Sequence, residues 1–312
     1  MTRIELMDTC AASAIYYKGW RDKLKYMADF GIEYVQTVLQ VVRPQWPCVS
    51  PYRLVRGNEG DPKAIYDLTA WNSRYWDFLG EWVLTCRLYG MKAILALLSH
   101  PTARKLGYLP AYSYNVQGFK PDILACLSRP PSGAWLEILE AYAAKAAPYI
   151  AAAGGCLPLL EGVGTREFEL AWGQILMRHV GSEAGVVYAS STISDVPEVI
   201  YSPHVKSAAE AGAQGNKAKS RVSPTWIETD GWQYETASSI LEAGRRCIGK
   251  PNVVAFGSWL GGALCGCHRI VNGKVQKASI GPYEDRPLVT LVDCWGDITR
   301  MIEALGSLRG RA

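Results

Sequence analysis

The feature that most constrains the fold is an alternation of short apolar runs and helical stretches that repeats along the chain. The apolar run IELMD at 4–8 indicates a strand, and the stretch at 20–31 carries Trp20, Leu24 and Met27 at helical spacing before its closing glycine. Consecutive parallel strands need a crossover connection between them, which is usually a helix. The alternation therefore predicts an α/β protein built on parallel strands.

Eight apolar runs qualify as strands, and helical stretches separate most of them. The predicted strands are 4–8, 32–42, 91–101, 157–162, 185–190, 199–205, 224–228 and 252–261. The predicted helices are 20–31, 75–90, 136–155, 168–181, 237–249 and 291–306. The connection between the fifth and sixth strands is short, and the polar, basic stretch at 206–221 indicates a mobile loop.

The number of these units and the length of the chain predict the architecture. Eight units in 312 residues fit a (β/α)8 TIM barrel better than an open doubly wound sheet, which needs fewer strands. No linker or composition break divides the chain, so residues 1–312 are expected to form a single barrel domain. The glycine patterns of dinucleotide-binding and P-loop folds are missing from the sequence.

Charge and cysteine usage indicate the partners and the environment. The formal net charge is only +4, and the basic residues do not gather in one tract, which argues against a nucleic-acid partner. The N-terminal stretch MTRIELMDTC lacks the apolar core of a signal peptide, and no apolar run has the ~18 to 20 residues of a membrane span. The nine cysteines show no disulfide spacing, so we expect a cytoplasmic or otherwise intracellular setting.

Polar or aromatic residues end or follow most of the predicted strands. These residues are Asp8, Arg43, Trp46, His100, Glu161, His204, Glu228 and Trp259. The carboxyl ends of the strands of a parallel barrel meet at one rim, where barrel enzymes carry their active sites. Any one of these residues has a simple structural explanation, but their convergence on one rim predicts a functional site.

The chemistry that such a rim favours is cleavage of a glycosidic bond. This reaction requires two carboxyl groups that face each other across a sugar, with neighbours that separate their pKa values. Aromatic rings cover the C–H face of a pyranose, and the chain has 11 Trp and 17 Tyr against only 5 Phe. Tyr and Trp are favoured over Phe for this purpose because they add a hydrogen-bonding group to the ring.

The order and spacing of these segments resemble the clan A glycoside hydrolases, in particular the family 5-like barrels of cellulase and mannanase type. The stretch GIEYVQTVLQVVRPQW resembles their second strand, and MKAILALLSHP is similar to the third. VIYSPHV resembles the sixth strand, PTWIETDG the seventh, which carries the nucleophile, and SWLG the eighth. The resemblance extends over nearly the whole chain, through short segments.

This resemblance implies a role for each matching residue. Glu228 would be the nucleophile, Arg43 would support it electrostatically, and His204 would assist substrate binding beside it. Trp259 would stack under the sugar at the cleaved bond, and His100 would line the neighbouring subsite. Further candidates for substrate contact are Trp46, Trp232 and Asp8.

The sequence departs from the family pattern at the fourth strand. The family ends this strand in Asn-Glu, where Glu is the acid/base, whereas this chain has LPLLEGVGTREFE. Glu161 and Glu167 are the two candidates for the acid/base. Glu161 is preferred, because Thr165 is a plausible N-cap and would place Glu167 in the first turn of a helix, where the dipole alone favours an acid.

We therefore predict a retaining glycoside hydrolase that acts on a β-linked oligo- or polysaccharide without a metal or organic cofactor. The alternative is a carbohydrate-binding or assembly barrel that has lost the acid/base. A phosphate-handling barrel enzyme is a third possibility because of the glycine-rich stretch GSWLGGALCG, but no lysine ends a central strand. The cluster of Cys265, Cys267 and His268 lacks the second ligand pair of a zinc site. The oligomeric state is left open.

Overall fold

The structure is a computed structural model, and it describes most of the chain in separate ranges. These ranges are 5–8, 20–39, 50–58, 63–100, 103–104, 109–160, 162, 164–181, 184–229, 237–258, 268–271, 274–277, 303–304 and 306–308. The chain divides into two compact units. Unit 1 comprises Met1–Thr37, Leu88–Met91 and Ser194–Ala312, and unit 2 comprises Val38–Arg87 and Lys92–Ile193. The predicted single domain stays a prediction.

Strands and helices alternate along the described chain. The strands are β1 Glu5–Asp8, β2 Tyr34–Val38, β3 Tyr52–Arg56, β4 Ile65–Trp71, β5 Lys92–Ser99, β6 Gly154–Leu160, β7 Val187–Ser190, β8 Val199–Tyr201, β9 His204–Val205, β10 Thr225–Thr229, β11 Val253–Ser258, β12 His268–Val271 and β13 Lys274–Lys277. The helices are α1 Trp20–Asp29, α2 Ser73–Leu88, α3 Pro110–Ser113, α4 Ile123–Leu127, α5 Gly133–Ala153, α6 Arg166–Val180, α7 Ala208–Ala218 and α8 Ala237–Cys247.

In unit 1 the strands form a parallel sheet. β1 pairs with β2 on one side and with β11 on the other, and β11 pairs in turn with β10. β8 and β9 both pair with β10, also in parallel. The connections from β1 to β2, from β9 to β10 and from β10 to β11 contain the helices α1, α7 and α8. This is the strand–helix–strand arrangement that the sequence alternation predicts.

Unit 2 contains three further parallel strands. β5 pairs with β6 over six residue pairs from Ala93 to Ser99, and β6 pairs with β7. α5 connects β5 to β6, and α6 connects β6 to β7. The buried core beside them is rich in aromatic side chains, and Trp76, Trp172, Tyr52 and Tyr142 are all at most 1% exposed. Their burial stabilises the unit through the large apolar area of each ring.

An antiparallel hairpin that the sequence analysis did not predict precedes α2 in unit 2. β3 and β4 pair with each other, and the backbone of Tyr66 in β4 exchanges hydrogen bonds of 2.9 Å with Tyr114 and Val116. The side chain of Gln117 accepts from the Leu68 amide at 3.1 Å. The hairpin is therefore anchored to the segment that follows β5.

The prediction of a mobile loop at 206–221 is wrong, because most of this segment forms the helix α7. Its N-cap Ser207 accepts a hydrogen bond of 3.2 Å from the Glu210 amide, and the Glu210 carboxylate accepts from the Lys206 amide at 2.5 Å. The bond to Ser207 satisfies one of the amide groups that a helix N-terminus otherwise leaves without a partner, and the bond from Lys206 fixes the residue before the cap. The predicted helix at 291–306 falls almost entirely outside the described residues. Within the described ranges, no helix has both the length and the apolarity that crossing a membrane requires.

Candidate active site

The strand β10 carries a buried carboxyl group, Glu228, near its carboxyl end. All five residues of the strand are buried, and Glu228 is 1% exposed. Glu228 pairs with His204 of β9 on one side and with Gly257 of β11 on the other. Its N–H donates to the carbonyl of Pro203 at 3.2 Å. Burial of a carboxyl group costs free energy unless neighbouring groups stabilise it, so this position needs a physical reason.

The imidazole of His204 lies beside this carboxyl group. Nε2 of His204 is 3.4 Å from Oε2 of Glu228, and the two side chains are 14% and 2% exposed. A protonated imidazole forms an ion pair with the carboxylate, and a neutral one with its proton on Nε2 directs a donor toward it. Water screens charges weakly at such low exposure, so the state of one group strongly affects the other. This pair is the core of the candidate site.

A ring contact shows that the face of the sheet carrying Glu228 is concave. Trp226 and Glu228 are two residues apart on β10 and therefore point to the same face. The ring of Trp226 lies 5.3 Å from the ring of Tyr34 on β2, although β11 and β1 lie between these strands. In a flat sheet, strands three places apart are about 14 Å from each other. The sheet of unit 1 is therefore curled, and Glu228 lies on its inner face.

The strand register brings Asp8 to the same end of unit 1. Asp8 is the last residue of β1 and pairs with Ser258 of β11, which also pairs with Thr229 of β10. It is thus one step beyond the row of residues that contains Glu228 and His204. Three of the predicted site positions consequently share one edge of this sheet.

In unit 2 the register aligns two further predicted positions. Ser99 at the end of β5 pairs with Leu160 at the end of β6. The residues that follow them in the chain are His100, which is 8% exposed, and Glu161. His100 is therefore the first residue beyond β5, at the carboxyl edge of a parallel pair, whereas Glu161 follows β6 in the sequence but lies outside the described residues.

Glu167, the other candidate for the acid/base, lies in the first turn of α6 and is exposed. Thr165 is the N-cap residue of this helix, as predicted, although its side chain makes no capping hydrogen bond. An acid in this turn is stabilised by the helix dipole alone. The position is that of a solvated surface residue.

Several predicted site residues lie outside the described residues, and their roles stay predictions. They are Arg43, Trp46, Glu161, Trp232 and Trp259. For Asp8 the structure describes the strand and its pairing but not the side chain.

One buried carboxyl group, Glu169, was missed by the sequence analysis. It lies in α6 with no exposed surface. Burial raises the pKa of Glu169 to about 7, against the opposing effect of hydrogen bonds from the Thr192 and Ser190 side chains and the Ser191 amide. A carboxyl group in this state is characteristic of functional sites as well as of structural networks.

Comparisons with known proteins assign the fold but not the family. No family model matches the chain, and a search of curated proteins finds no relative. Solved structures of glycoside hydrolases do match it. A variant GH5_18 protein from Bifidobacterium longum subsp. longum in complex with Manb1-4GlcNAc aligns with a TM-score of 0.56 at 12% identity, over 99% of this chain and 78% of that one.

Two further structures show the same likeness. A GH5-4 broad specificity endoglucanase from Clostridium longisporum aligns with a TM-score of 0.53 at 11% identity, over 98% of this chain and 97% of that one. A Bacteroides vulgatus protein classed as a glycoside hydrolase gives 0.54 at 12% identity and covers 82% of this chain. The chain spans about half of that protein, 51% of its length.

These likenesses confirm two of the sequence predictions. The chain has an α/β fold of the TIM-barrel class, with parallel strands and alternating helices. The predicted resemblance to family 5 glycoside hydrolases is confirmed at the level of the fold, at low sequence identity. A shared fold of this kind hosts many chemistries, so activity has to be argued from the site.

Proposed function

We propose that the protein is a retaining glycoside hydrolase that cleaves a β-linked oligo- or polysaccharide, with Glu228 as the nucleophile and Glu161 as the acid/base. The observation that carries this proposal is the burial of Glu228 on the inner face of the sheet, 3.4 Å from His204, at the carboxyl end of β10. A buried carboxyl group beside an imidazole, at the end of a barrel strand where catalytic groups lie, supports a role as the nucleophile.

In the first step, a carboxylate oxygen of Glu228 attacks the anomeric carbon of the sugar. The glycosidic C–O bond breaks as Glu161 donates its proton to the leaving oxygen, and a covalent glycosyl-enzyme intermediate forms. In the second step, the ionised Glu161 takes a proton from water, which attacks the same carbon and releases Glu228. The two inversions return the original anomeric configuration, and the carboxyl groups should lie about 5 to 5.5 Å apart.

Other residues serve the proposed reaction by holding the substrate and the nucleophile. His204, beside Glu228, stabilises the carboxylate when its imidazole is charged. Arg43 adds a second positive charge, and Trp259 supplies the ring under the sugar. His100, Trp46, Trp232 and Asp8 are assigned to further substrate contacts.

A second candidate function is a carbohydrate-binding barrel without catalysis. One observation favours it: Leu160 and Glu161 stand where the family pattern has Asn-Glu, so the usual hydrogen bond to the sugar 2-hydroxyl is missing. Contacts to this hydroxyl normally strengthen in the transition state. This candidate predicts oligosaccharide binding by calorimetry without release of reducing ends.

A hydrolysis screen with the Glu228→Gln variant tests the proposed function. Wild-type protein is incubated with a panel of β-glycans and aryl β-glycosides, and the anomeric configuration of the first product is followed by NMR. We expect retention of configuration in the wild type. We expect at least a ~10³-fold loss of kcat in Glu228→Gln, because amide nitrogen and oxygen are poor nucleophiles.

The matched control is Glu198→Gln, which makes the same chemical change at an exposed position of unit 1. This variant should keep wild-type activity. Turnover by Glu228→Gln at a rate similar to the control would exclude Glu228 as the nucleophile, and inversion of configuration would exclude the retaining mechanism.

A further inference from the structure

The buried carboxyl group of Glu169 has no role in the reaction proposed above, yet three segments of unit 2 meet around it. Its Oε1 accepts a hydrogen bond of 3.3 Å from the Ser191 amide, and its Oε2 accepts one of 2.5 Å from the Thr192 hydroxyl. Both partners belong to the segment that directly follows β7. Glu169 therefore fixes the loop at the carboxyl end of β7 to the first half of α6.

The same loop holds the residue next to Glu161. The N–H of Gly162 donates to Oγ of Ser191 at 2.9 Å. A methyl group at position 162 would overlap the Thr165 hydroxyl and lie 3.4 Å from Oε2 of Glu169, so Gly162 lies close to the buried carboxyl group. Displacement of Ser191 and Thr192 would therefore change the support of the backbone at Gly162.

We propose that Glu169 is a positioning residue that, through Ser191 and Thr192, holds the backbone at Gly162, the residue that directly follows the proposed acid/base Glu161 in the sequence. The inference rests on the proposed function, because it concerns the acid/base of that reaction. Geometry is the reason that such support matters: proton transfer requires the acid within about 2.6 to 3.2 Å of the leaving oxygen, so a shift of 1 Å is costly. Glu169 itself contacts no substrate.

A purely structural network would satisfy buried polar groups without any bearing on the acid/base. The two possibilities differ in the substrates that a weakened network affects. A good leaving group, such as dinitrophenolate, departs from its glycoside without being protonated. A poor leaving group departs only when the acid donates a proton to it. Loss of acid positioning therefore penalises poor leaving groups selectively, and general loss of structure penalises all substrates equally.

The experiment removes one donor from the network. Thr192→Val replaces the hydroxyl that bonds to Glu169 with a methyl group of similar volume, whereas Thr192→Ser keeps a hydroxyl at this position. kcat/KM is measured on aryl β-glycosides with good and poor leaving groups, because this parameter reports the step in which the glycosidic bond breaks. Glu161→Gln gives the profile of a protein without its acid/base.

For Thr192→Val we expect kcat/KM to fall about tenfold or more on the poor leaving group and less than about threefold on the good one, in the direction of Glu161→Gln. Thr192→Ser should stay within about twofold of wild type on both. The control Glu137→Gln, at an exposed position of α5, should change neither. An equal loss on both substrates, or no loss, would overturn the proposal.

A second measurement does not depend on glycosidase activity. Hydrogen exchange at the Gly162 amide is followed in wild type, Thr192→Val and Thr192→Ser. We expect faster exchange at Gly162 only in Thr192→Val, because the acceptor on Ser191 is then less well held. An unchanged exchange rate at the Gly162 amide in Thr192→Val would overturn the positioning role, whether or not the protein cleaves a glycoside. If the exchange rate rises as expected but no glycoside is cleaved, only the proposed function is overturned.

Discussion

At the scale of single residues, Glu228 and Glu169 are both carboxyl groups removed from water, but their partners differ. Glu228 lies beside the imidazole of His204, a group that is charged only when it is protonated. Glu169 is surrounded by hydroxyl and amide donors of Ser190, Ser191 and Thr192, which stay neutral. The two environments suit different roles, since a chargeable partner can regulate a reacting group and neutral donors can only hold one in place.

Glu169 should make the stability of the protein depend on pH. Burial raises its pKa from the usual 4.5 to about 7, so between these values the folded chain keeps a proton that the unfolded chain has lost. The contribution of Glu169 to the free energy of unfolding therefore falls as pH rises through this window, by roughly 3 kcal/mol in total. Glu169→Gln removes the titrating group, so wild type should lose stability relative to the variant from pH 4.5 to 7.

Denaturant unfolding of both proteins at several pH values measures this difference. The titratable groups that face this region, Tyr188 and Cys156, do not interfere, because burial raises the pKa of the tyrosine well above 10 and that of the thiol to about 12. Parallel pH profiles of the two proteins would show that Glu169 is ionised equally in the folded and unfolded chains.

At the scale of elements, the close approach of α6 to β7 depends on a glycine. A methyl group at position 173 would overlap the hydroxyl and ring of Tyr188, whose hydroxyl donates to the Glu169 carbonyl at 3.0 Å. An aromatic ring held at both ends has little freedom to move aside. The helix can therefore lie where Glu169 reaches the loop after β7 only because residue 173 has no side chain.

Gly173→Ala should destabilise the protein by about 1 to 3 kcal/mol through overpacking. The matched control is Gly80→Ala in α2, where the added methyl would make an ordinary contact of 3.4 Å with Tyr149. That change should be neutral or stabilising by about 0.5 to 1 kcal/mol, because alanine is the better helix former. The denaturant midpoints of the two variants are each compared with that of the wild type. Similar shifts for both would show that the Tyr188 side chain moves aside at little cost in free energy.

The hairpin of β3 and β4 shows how a polar group can join two elements. Asp67 in β4 accepts hydrogen bonds from Thr69, from Gln117 at 2.7 Å and from Arg53 at 2.8 Å. The bonds from Thr69 and Gln117 hold the pKa of Asp67 well below its usual range. The hairpin and the segment at 114–117 are thus joined by a carboxylate at all ordinary pH values.

At the scale of the whole molecule, the pattern of elements is retained while residue identity is not. The three glycoside hydrolase structures named above are only 11 to 12% identical to this chain, yet two of them align with 98% or more of it. The pattern of strands and helices can therefore be kept while many different side chains fill the same architecture.

The pairing of β1 with β11 joins distant parts of the sequence, and it is open to a direct test. Met7 pairs with Gly257 of β11 and with Tyr34 of β2, so its strand is enclosed on both sides. Met7→Pro removes a backbone donor from the ladder and should lower the free energy of unfolding by at least about 1 to 3 kcal/mol. Thermal unfolding of both variants is followed by circular dichroism. Met7→Leu is the control, because leucine keeps the backbone donor and nearly the same side-chain volume. Equal melting temperatures would show that β1 contributes little to the sheet.

Most of the parallel strands, the helices between them and the α/β class could be predicted from the sequence, because periodicity records which face of each segment is buried. Each of the eight predicted strands has a counterpart in the structure, and the buried Glu228 lies one residue before the end of β10. The Ser-x-x-Glu pattern at 207–210 also signalled a helix start, and the loop prediction there was wrong because composition was weighed above the cap.

Which side chains are buried together could not be predicted from the sequence and is seen only in the folded chain. Glu169 falls four residues before Gly173 and seven before Leu176 on the buried side of α6, a spacing that could have marked it as a core position. Its partners at 190–192, the anchoring of the hairpin and the approach of His204 to Glu228 all join residues distant in the chain or on neighbouring strands. Local periodicity carries no information on such contacts, because they depend on how separate elements pack in three dimensions.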